Sequence, residues 1–375
     1  MQTRLGTCRI RYNSPNPFFF TLLILTWLSI PASSAIAAGG TFAPVGNLTQ
    51  ATEAPPAALL TSGKVLVIVG TSGNLDLFDP TTQNFTAAGT ANSNYNTATL
   101  LKSGKVLLAG NGDNSTNGTC PPPPPDNVDL MPNTTRLYDP STGSLTATGC
   151  ALEEFQAGTN TRLADGRVLF VGGGDRNMGG TPIPRSEIYD PATGKFTFSC
   201  TLPRGFYGHT ATLLNNGKVL IAGGSTFFDG SGGEQANAWL YDPSTGTFTA
   251  TGNMTIPRLD HTATLLGNGK VLITGGSDGS QVNGNHGVRG VAELYDPSTG
   301  KFAATGSMIF ARAGHTANLL TSGQVMVAGG FDGTSIVASA ELYNPTSGTF
   351  SATGHMNAAR ELAAAVRLNS GKVWR

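Results

Sequence analysis

Short uninterrupted runs of Val, Leu and Ile recur along the chain, each just after a glycine. They are Gly63-Lys64-Val65-Leu66, Gly104-Lys105-Val106-Leu107, Gly166-Arg167-Val168-Leu169, Gly217-Lys218-Val219-Leu220, Gly269-Lys270-Val271-Leu272, Gly323-Gln324-Val325-Met326 and Gly371-Lys372-Val373. Successive glycines are 41, 62, 51, 52, 54 and 48 residues apart. A period near 50 fits four short strands and their turns. Strand a is apolar, as in Thr262-Ala263-Thr264-Leu265-Leu266. Strand b is the continuous run, as in Val219-Leu220-Ile221-Ala222, closed by Gly223-Gly224. Strand c, as in Glu293-Leu294-Tyr295, ends in Asp296-Pro297-Ser298-Thr299-Gly300, where Pro fixes φ and Gly supplies a positive one. Strand d follows, as in Lys301-Phe302-Ala303-Ala304.

A run apolar on both faces is a strand covered on both faces. Seven units of four strands are too many for one open sheet, because strands twist. Radial stacking of four-stranded blades buries both faces and leaves only short edges. The fold expected is therefore all-β, a propeller of seven four-stranded antiparallel blades.

The Gly-Gly doublets, Gly275-Gly276-Ser277-Asp278-Gly279, the Glu293-Leu294-Tyr295-Asp296-Pro297 strand end and the Pro257-Arg258…His261 lead-in resemble kelch repeats. The resemblance runs over nearly all of residues 40–375. It departs from the family at the aromatic of strand d, usually Trp, which here is Phe42, Phe85, Phe196, Phe248, Phe302 or Phe350, and Leu145 once.

Strands a, b and d each occur seven times. Strand c occurs six times, ending at Phe78, Tyr138, Tyr189, Tyr241, Tyr295 and Tyr343. The chain thus starts on an orphan strand d and finishes on a strand b. Residues 41–48 are expected to complete the seventh blade, with Phe42 to Gly46 beside Val373-Trp374-Arg375 and strand c missing. The ending Lys372-Val373-Trp374-Arg375 reads as a truncation, or as a natural three-stranded last blade.

The a–b and c–d turns are short and uniform, whereas the b–c loops vary widely, that of the second blade running to about 22 residues. Irregular loops on a rigid scaffold are where function concentrates, so the b–c/d–a face is the candidate binding face. His209, His261 and His315 each stand 8 residues before the glycine of strand b, where the other repeats carry Pro55, Asn96, Gly158 and Ala363. Three imidazoles at equivalent positions suit either a metal near the axis or a structural hydrogen bond of the repeat. Arg258, Arg312 and Arg360 stand three residues before that position, and Arg204 five before His209. They suit either an anionic ligand or pairing within the repeat. Asp113 to Gly118 begins like a calcium loop, but Pro124 stands where the bidentate Glu belongs. Pro121 to Pro125 reads as a stiff polyproline segment.

Arg4, Arg9 and Arg11, an apolar run from Phe18 to Ile30 and the Ala35-Ile36-Ala37 cleavage motif have the layout of a secretory signal peptide over residues 1–37, leaving a propeller over 38–375. The run is shorter than the roughly 20 residues that span a bilayer, and no later stretch is apolar enough, so export without a membrane span is expected. Loss of those three arginines leaves 20 basic and 23 acidic residues, a net of −3. That balance argues against a nucleic-acid partner. Glycine, at 50 residues, is roughly double its average usage. Hydrophobic residues at 39% nevertheless argue for a folded chain. After the leader three cysteines remain. Cys120 and Cys150 share one blade and are the expected disulfide, with Cys200, on the next blade, a buried free thiol. Three unpaired thiols are the alternative.

Galactose oxidase has a propeller of the kelch type, so the resemblance implies a copper site of two Tyr and two His, with a Cys cross-linked to one Tyr. Five of the seven tyrosines after the leader are the repeat residue of strand c, only Tyr95 and Tyr207 are spare, and no Tyr-His dipeptide occurs. The copper site does not transfer, and no cofactor or catalytic residue is expected. The function expected is a secreted, monomeric, non-catalytic scaffold binding a protein or a glycan. The alternative is a carbohydrate-active enzyme (oxidase, lyase or glycosidase) with its site at the axial mouth of the b–c/d–a face.

Overall fold

Val65–Val69, Val168–Val171, Val219–Ala222, Val271–Thr274 and Val325–Ala328, the b strands of five repeats, are buried at every residue. Along the first of them Val65, Val67 and Val69 join one apolar cluster, and Leu66 and Ile68 another. A strand that feeds two cores through its period of two needs a sheet on each side. The computed structural model describes residues 34–37, 40–50, 52, 54–70, 73–91, 94–111, 133–151, 158–175, 181–226, 233–280 and 287–375. Its compact unit spans Pro31–Arg375. Apart from Ser34–Ala37, the expected leader lies outside the described residues, as do Cys120, the Asp113 loop and the proline run.

Blade 5 shows the plan. Thr262–Leu265 (a), Val271–Thr274 (b), Ala292–Asp296 (c) and Lys301–Ala304 (d) form an antiparallel sheet in that order. The first strands of all blades are Ala57–Leu59, Asn94–Leu100, Thr159–Arg162, Thr210–Leu213, Thr262–Leu265, Thr316–Leu319 and Val366–Arg367. Each touches the next, and the last touches the first, so they ring the axis. One apolar cluster fills the space between each pair of neighbouring blades. No α-helix occurs among the described residues.

Two devices recur among the blades. Tyr295 lies opposite Phe302, with ring centroids 4.8 Å apart, and Tyr189–Phe196, Tyr241–Phe248 and Tyr343–Phe350 repeat the pair. Each of these Tyr hydroxyls then bonds a hydroxyl on or just after strand d of the preceding blade: Thr148, Ser199, Thr251 or Thr305, at 2.7–2.9 Å. At the c–d turn Asp296 accepts from the Ser298 amide and pairs with Lys270 at 3.1 Å, and Lys64–Asp79, Lys105–Asp139 and Lys218–Asp242 do the same elsewhere. The a–b/c–d face is thus closed by short bonded turns, with the same Lys–Asp pair in four blades.

Six blades are complete and the seventh is partial. Its order is Val366–Arg367, Val373–Trp374, Ser34–Ala37, Thr41–Pro44, the first two strands having two residues each. The expectation of an empty c position is corrected here. Ser34–Ala37 takes it, pairing Ile36 with Val373 and Ala35 with Trp374. Residues 41–44 therefore lie one strand further out, with Phe42 opposite Ile36, and do not touch Val373 through the ladder. Thr41–Pro44 does hold the d position. Val45 stands where other blades carry the Ser or Thr that bonds a Tyr. It packs in one apolar cluster with Phe78, the strand-c aromatic of blade 1 that has no hydroxyl to satisfy.

Candidate binding face at the b–c and d–a loops

Each d–a loop must cross from the rim of one blade to the axis of the next, and buried side chains of strand c hold it there. Glu293 on strand c of blade 5 accepts from the Thr255 amide at 2.9 Å and pairs with Arg258 Nη2 at 2.7 Å. Arg258 Nη1 donates to the carbonyls of Gly275 and Val291 at 2.9 and 2.7 Å. Blade 6 repeats this. Glu341 accepts from the amides of Ile309 and Phe310 and pairs with Arg312 at 2.8 Å, while Arg312 Nη1 donates to the carbonyls of Gly329 and Ser339. In blade 1 Asp76 plays the acid, accepting from the Thr49 amide and hydroxyl at 2.7 Å. Burial pulls the Arg258 and Arg312 guanidiniums down from the ordinary arginine value, and Glu293 and Glu341 oppose the shift.

These geometries correct the expectation that Arg258 and Arg312 meet a ligand. Both guanidiniums and both carboxylates are 0% exposed. Arg360 is half-buried, with its carbonyl accepting from the Gly330 amide at 2.7 Å. Arg204 is exposed, because its register differs. In blade 4 the residue three before His209 is Phe206, and Trp239 stands where Glu293 stands in blade 5. Phe206 and Trp239 belong to one apolar cluster, so blade 4 replaces the ion pair with aromatic packing, at which the Trp239 indole N–H is buried without a partner.

The histidines are likewise inside the wall. The Nε2 atoms of His209, His261 and His315 bond the hydroxyls of Thr159, Thr210 and Thr262, the first residue of strand a one blade back, at 2.9–3.0 Å. His315 also reaches Thr274 at 3.0 Å. Burial lowers the imidazole of His209 to about 4 and that of His261 to about 3, and puts His315 well below the usual range. All three are neutral at pH 7, linking blades to one another. Ala363 replaces the next histidine, and the Thr316 hydroxyl that it would have met is buried without a partner. The paired glycines make room for this packing, since a Cβ on Gly275 would lie 2.7 Å from His315 Cε1. No group of three or more His, Cys, Asp or Glu among the described residues is placed to hold a metal ion.

The axial mouth is rimmed by the residue preceding each of these positions. The Asp260 amide donates to the Gly208 carbonyl, the Gly314 amide to Asp260 and the Leu362 amide to Gly314, at 3.2, 2.9 and 2.7 Å. All four have left-handed backbone, with φ of 64°, 54°, 60° and 49° for Gly208, Asp260, Gly314 and Leu362. Asp tolerates this conformation; for Leu it costs on the order of 1–2 kcal/mol. The Asp260 side chain reaches solvent inside the mouth but is walled by protein. Burial, with the Glu361 charge adding, pushes its carboxyl up to about 6.

Four large apolar side chains stand out on this face: Ile309, Phe310, Ile336 and Leu362, 44–54% exposed. Their backbones are held, Ile309 and Phe310 by Glu341, Ile336 by its bridge to Phe331, and Leu362 by Gly314. Sequence reasoning missed them. The available signal was Ile309-Phe310 standing where the next repeat carries Asn357-Ala358. At the d–a ends of strand d in blades 2 and 3, Cys150 is disulfide-bonded and Cys200 is a half-buried free thiol, less buried than expected. Cys120, the expected partner of Cys150, lies outside the described residues.

Comparison with known proteins follows the same geometry. The sequence pattern of the Kelch motif matches residues 312–357. Kelch-like protein 36 of Rattus norvegicus is 28% identical over 177 residues, covering 47% of this chain and 28% of that protein. Kelch-like protein 24 of Homo sapiens is 28% identical over 112 residues, covering 30% and 17%. The chain thus spans less than a third of these relatives. Among solved structures, a fungal alcohol oxidase of the AA5 family in complex with copper superposes with a TM-score of 0.68 at 16% identity, covering 89% of this chain and 72% of its own. The structure of YjhT gives 0.58 at 14% identity, covering 83% and 99%. At such identities the likeness is one of fold.

Proposed function

We propose that this chain, a kelch-repeat β-propeller, is a secreted binding scaffold that takes a protein partner on its b–c/d–a face. The observation that carries the reading is the set of Ile309, Phe310, Ile336 and Leu362, exposed on held backbone, the first two by the buried Glu341 carboxylate and the others by main-chain bonds. Apolar side chains held out on a rigid frame lose little freedom on docking, which is how interface anchors gain affinity. The opposite face offers short turns closed by Asp and Lys. A single screen tests the reading: display libraries of peptides and small proteins, alongside a glycan array, against the purified protein. Protein ligands that lose binding to a Phe310→Glu, Leu362→Glu variant support it; glycan ligands alone, or ligands indifferent to that variant, overturn it.

Asp260 favours a second reading. A carboxyl raised to about 6, beside the charge of Glu361 at the mouth of the axis, has the character of a general acid. A carbohydrate-active enzyme would turn over a glycan substrate and lose that turnover in Asp260→Asn.

A further inference from the structure

The seam between blades 3 and 4 lacks a clamp that other seams carry. Strand d runs out in Thr148-Gly149, Thr251-Gly252, Thr305-Gly306 and Thr353-Gly354. A Cβ on any of these glycines would run into a carbonyl of the next blade's c–d turn. Gly252 and Gly306 donate their amides to those carbonyls, of Gly300 and Gly348, at 2.8 and 2.9 Å. Thr251 and Thr305 donate to the same two at 3.2 and 3.4 Å. In blade 3 the pair is Ser199-Cys200. Cys200 brings a Cβ to the close approach, and its amide donates instead to Ser186 Oγ at 3.2 Å. Ser199 keeps only the bond to Tyr241 among the described residues. A Cβ on Gly246 would lie 3.8 Å from the Ser199 hydroxyl, against 3.0–3.1 Å from the Thr hydroxyls at Gly194, Gly300 and Gly348. The c–d turn of blade 4 therefore stands off blade 3.

A cavity of about 420 Å³ lies beside that turn, bounded by the a–b turns of blades 3 and 4. Small-molecule sites run to roughly 300–1,000 Å³. Arg167 reaches across it. Lys64, Lys105, Lys218 and Lys270, at the same repeat position, pair with the Asp of their own c–d turn. Arg167 turns away from Asp190, donating through Nε to Asp165 at 2.7 Å and through Nη2 to the Pro243 carbonyl of blade 4 at 3.3 Å. The two acids of the lining are already met. Asp242 accepts from the Ser244 amide and hydroxyl and pairs with Lys218, and Asp165 accepts twice from Arg167. Arg167 Nη1, Asn216 Nδ2 and two Lys218 protons remain as donors. Lys102, bonded to the Ala164 carbonyl, adds a third cation against two acids. The cavity thus suits an anion. The Arg167, Lys218 and Ser244 amides are each spent on a side chain of their own turn, so no amide nest awaits a tetrahedral oxyanion. The free guanidinium edge matches two coplanar oxygens. We propose that this seam binds a small molecule bearing a carboxylate, gripped bidentately by Arg167, with Lys218 and Asn216 donating from blade 4. The site lies among the turns, separate from the apolar set of the loop face, so the two proposals stand or fall independently.

The test uses the full chain with acetate, succinate, benzoate and glucuronate, each beside its neutral amide, and inorganic phosphate, followed by saturation-transfer NMR and calorimetry. At least one acid should bind, at least about tenfold more tightly than its amide, and phosphate should bind less tightly than that acid. Arg167→Lys copies the other blades and should weaken the acid at least about tenfold. Ser199→Thr together with Cys200→Gly copies the clamp of the other seams and touches no group of the lining. It should abolish binding and raise Tm. Lys270→Gln, on the turns of blade 5, should leave binding unchanged. Binding of no acid, amides or phosphate as tight as the acids, unchanged affinity in either blade 3 variant, or an equal loss in Lys270→Gln would overturn the proposal. Should the double variant not fold, Arg167→Lys decides alone.

Discussion

Blade 4 is a natural experiment on blade 5, and it sets a prediction. Arg258 and Glu293 are fully buried, and their pair is closed by the Gly275 and Val291 carbonyls and the Thr255 amide. Removing one partner strands a charge away from water, which costs about 3–5 kcal/mol. Arg258→Phe should therefore lose about that much, and Glu293→Trp a similar amount. The double variant recreates the Phe206 and Trp239 arrangement that blade 4 already uses. Apolar packing in place of a buried pair is often neutral, so the double should recover most of the loss, leaving about 1–2 kcal/mol for the Gly275 carbonyl, the Thr255 amide and the new indole N–H, since the Val291 carbonyl keeps the Gly275 amide. Urea unfolding of all four proteins closes the cycle. A coupling of about 3 kcal/mol or more is expected. Single variants whose losses simply add would refute the account of the pair as a device that pins the loop.

The buried histidines make stability acid-sensitive with a defined sign. His209 and His261 titrate near 4 and 3 when folded and near 6.5 when unfolded, so the unfolded chain binds more protons below about 6.5 and stability falls as pH drops through that window. Each should cost about 2 kcal/mol between pH 6.5 and 5, and replacement of both by Gln should flatten that slope in urea titrations at the two pH values; an unchanged slope contradicts the assignment. Leu362→Gly relieves the left-handed strain and should raise stability by about 1 kcal/mol while removing one apolar anchor, a split read by thermal unfolding and ligand binding together. Non-reducing peptide mapping is expected to return Cys150 joined to Cys120 with Cys200 alkylated; a peptide joining Cys150 to Cys200 would be the contrary result.

The repeat was legible because its signals are local: a glycine before strand b, a glycine pair after it, Asp-Pro and Gly closing strand c. Ser34–Ala37 was not, since it has neither the Glu nor the Tyr of a strand c and lies in what reads as a leader. The Arg–Glu pairs show why site residues fared worse. Arg258 and Arg312 were visible by spacing, but their partners lie 35 and 29 residues on, and only the fold brings them together. Arg204 was grouped with them by residue type. Its two-residue offset sends it to solvent, and Phe206 takes the inner position. The exposed Ile309, Phe310, Ile336 and Leu362 escaped notice because apolar residues in a loop look like core until the loop's path is known.

The central claim is that the loop face, and not the turn face, meets a protein partner. Hydrogen–deuterium exchange of the propeller with and without a selected protein ligand tests it most directly. The account predicts slowed exchange at residues 308–314, 331–337 and 360–363, with the turns at 243–246 and 297–300 unchanged. Protection confined to those turns, or spread evenly over both faces, would contradict it.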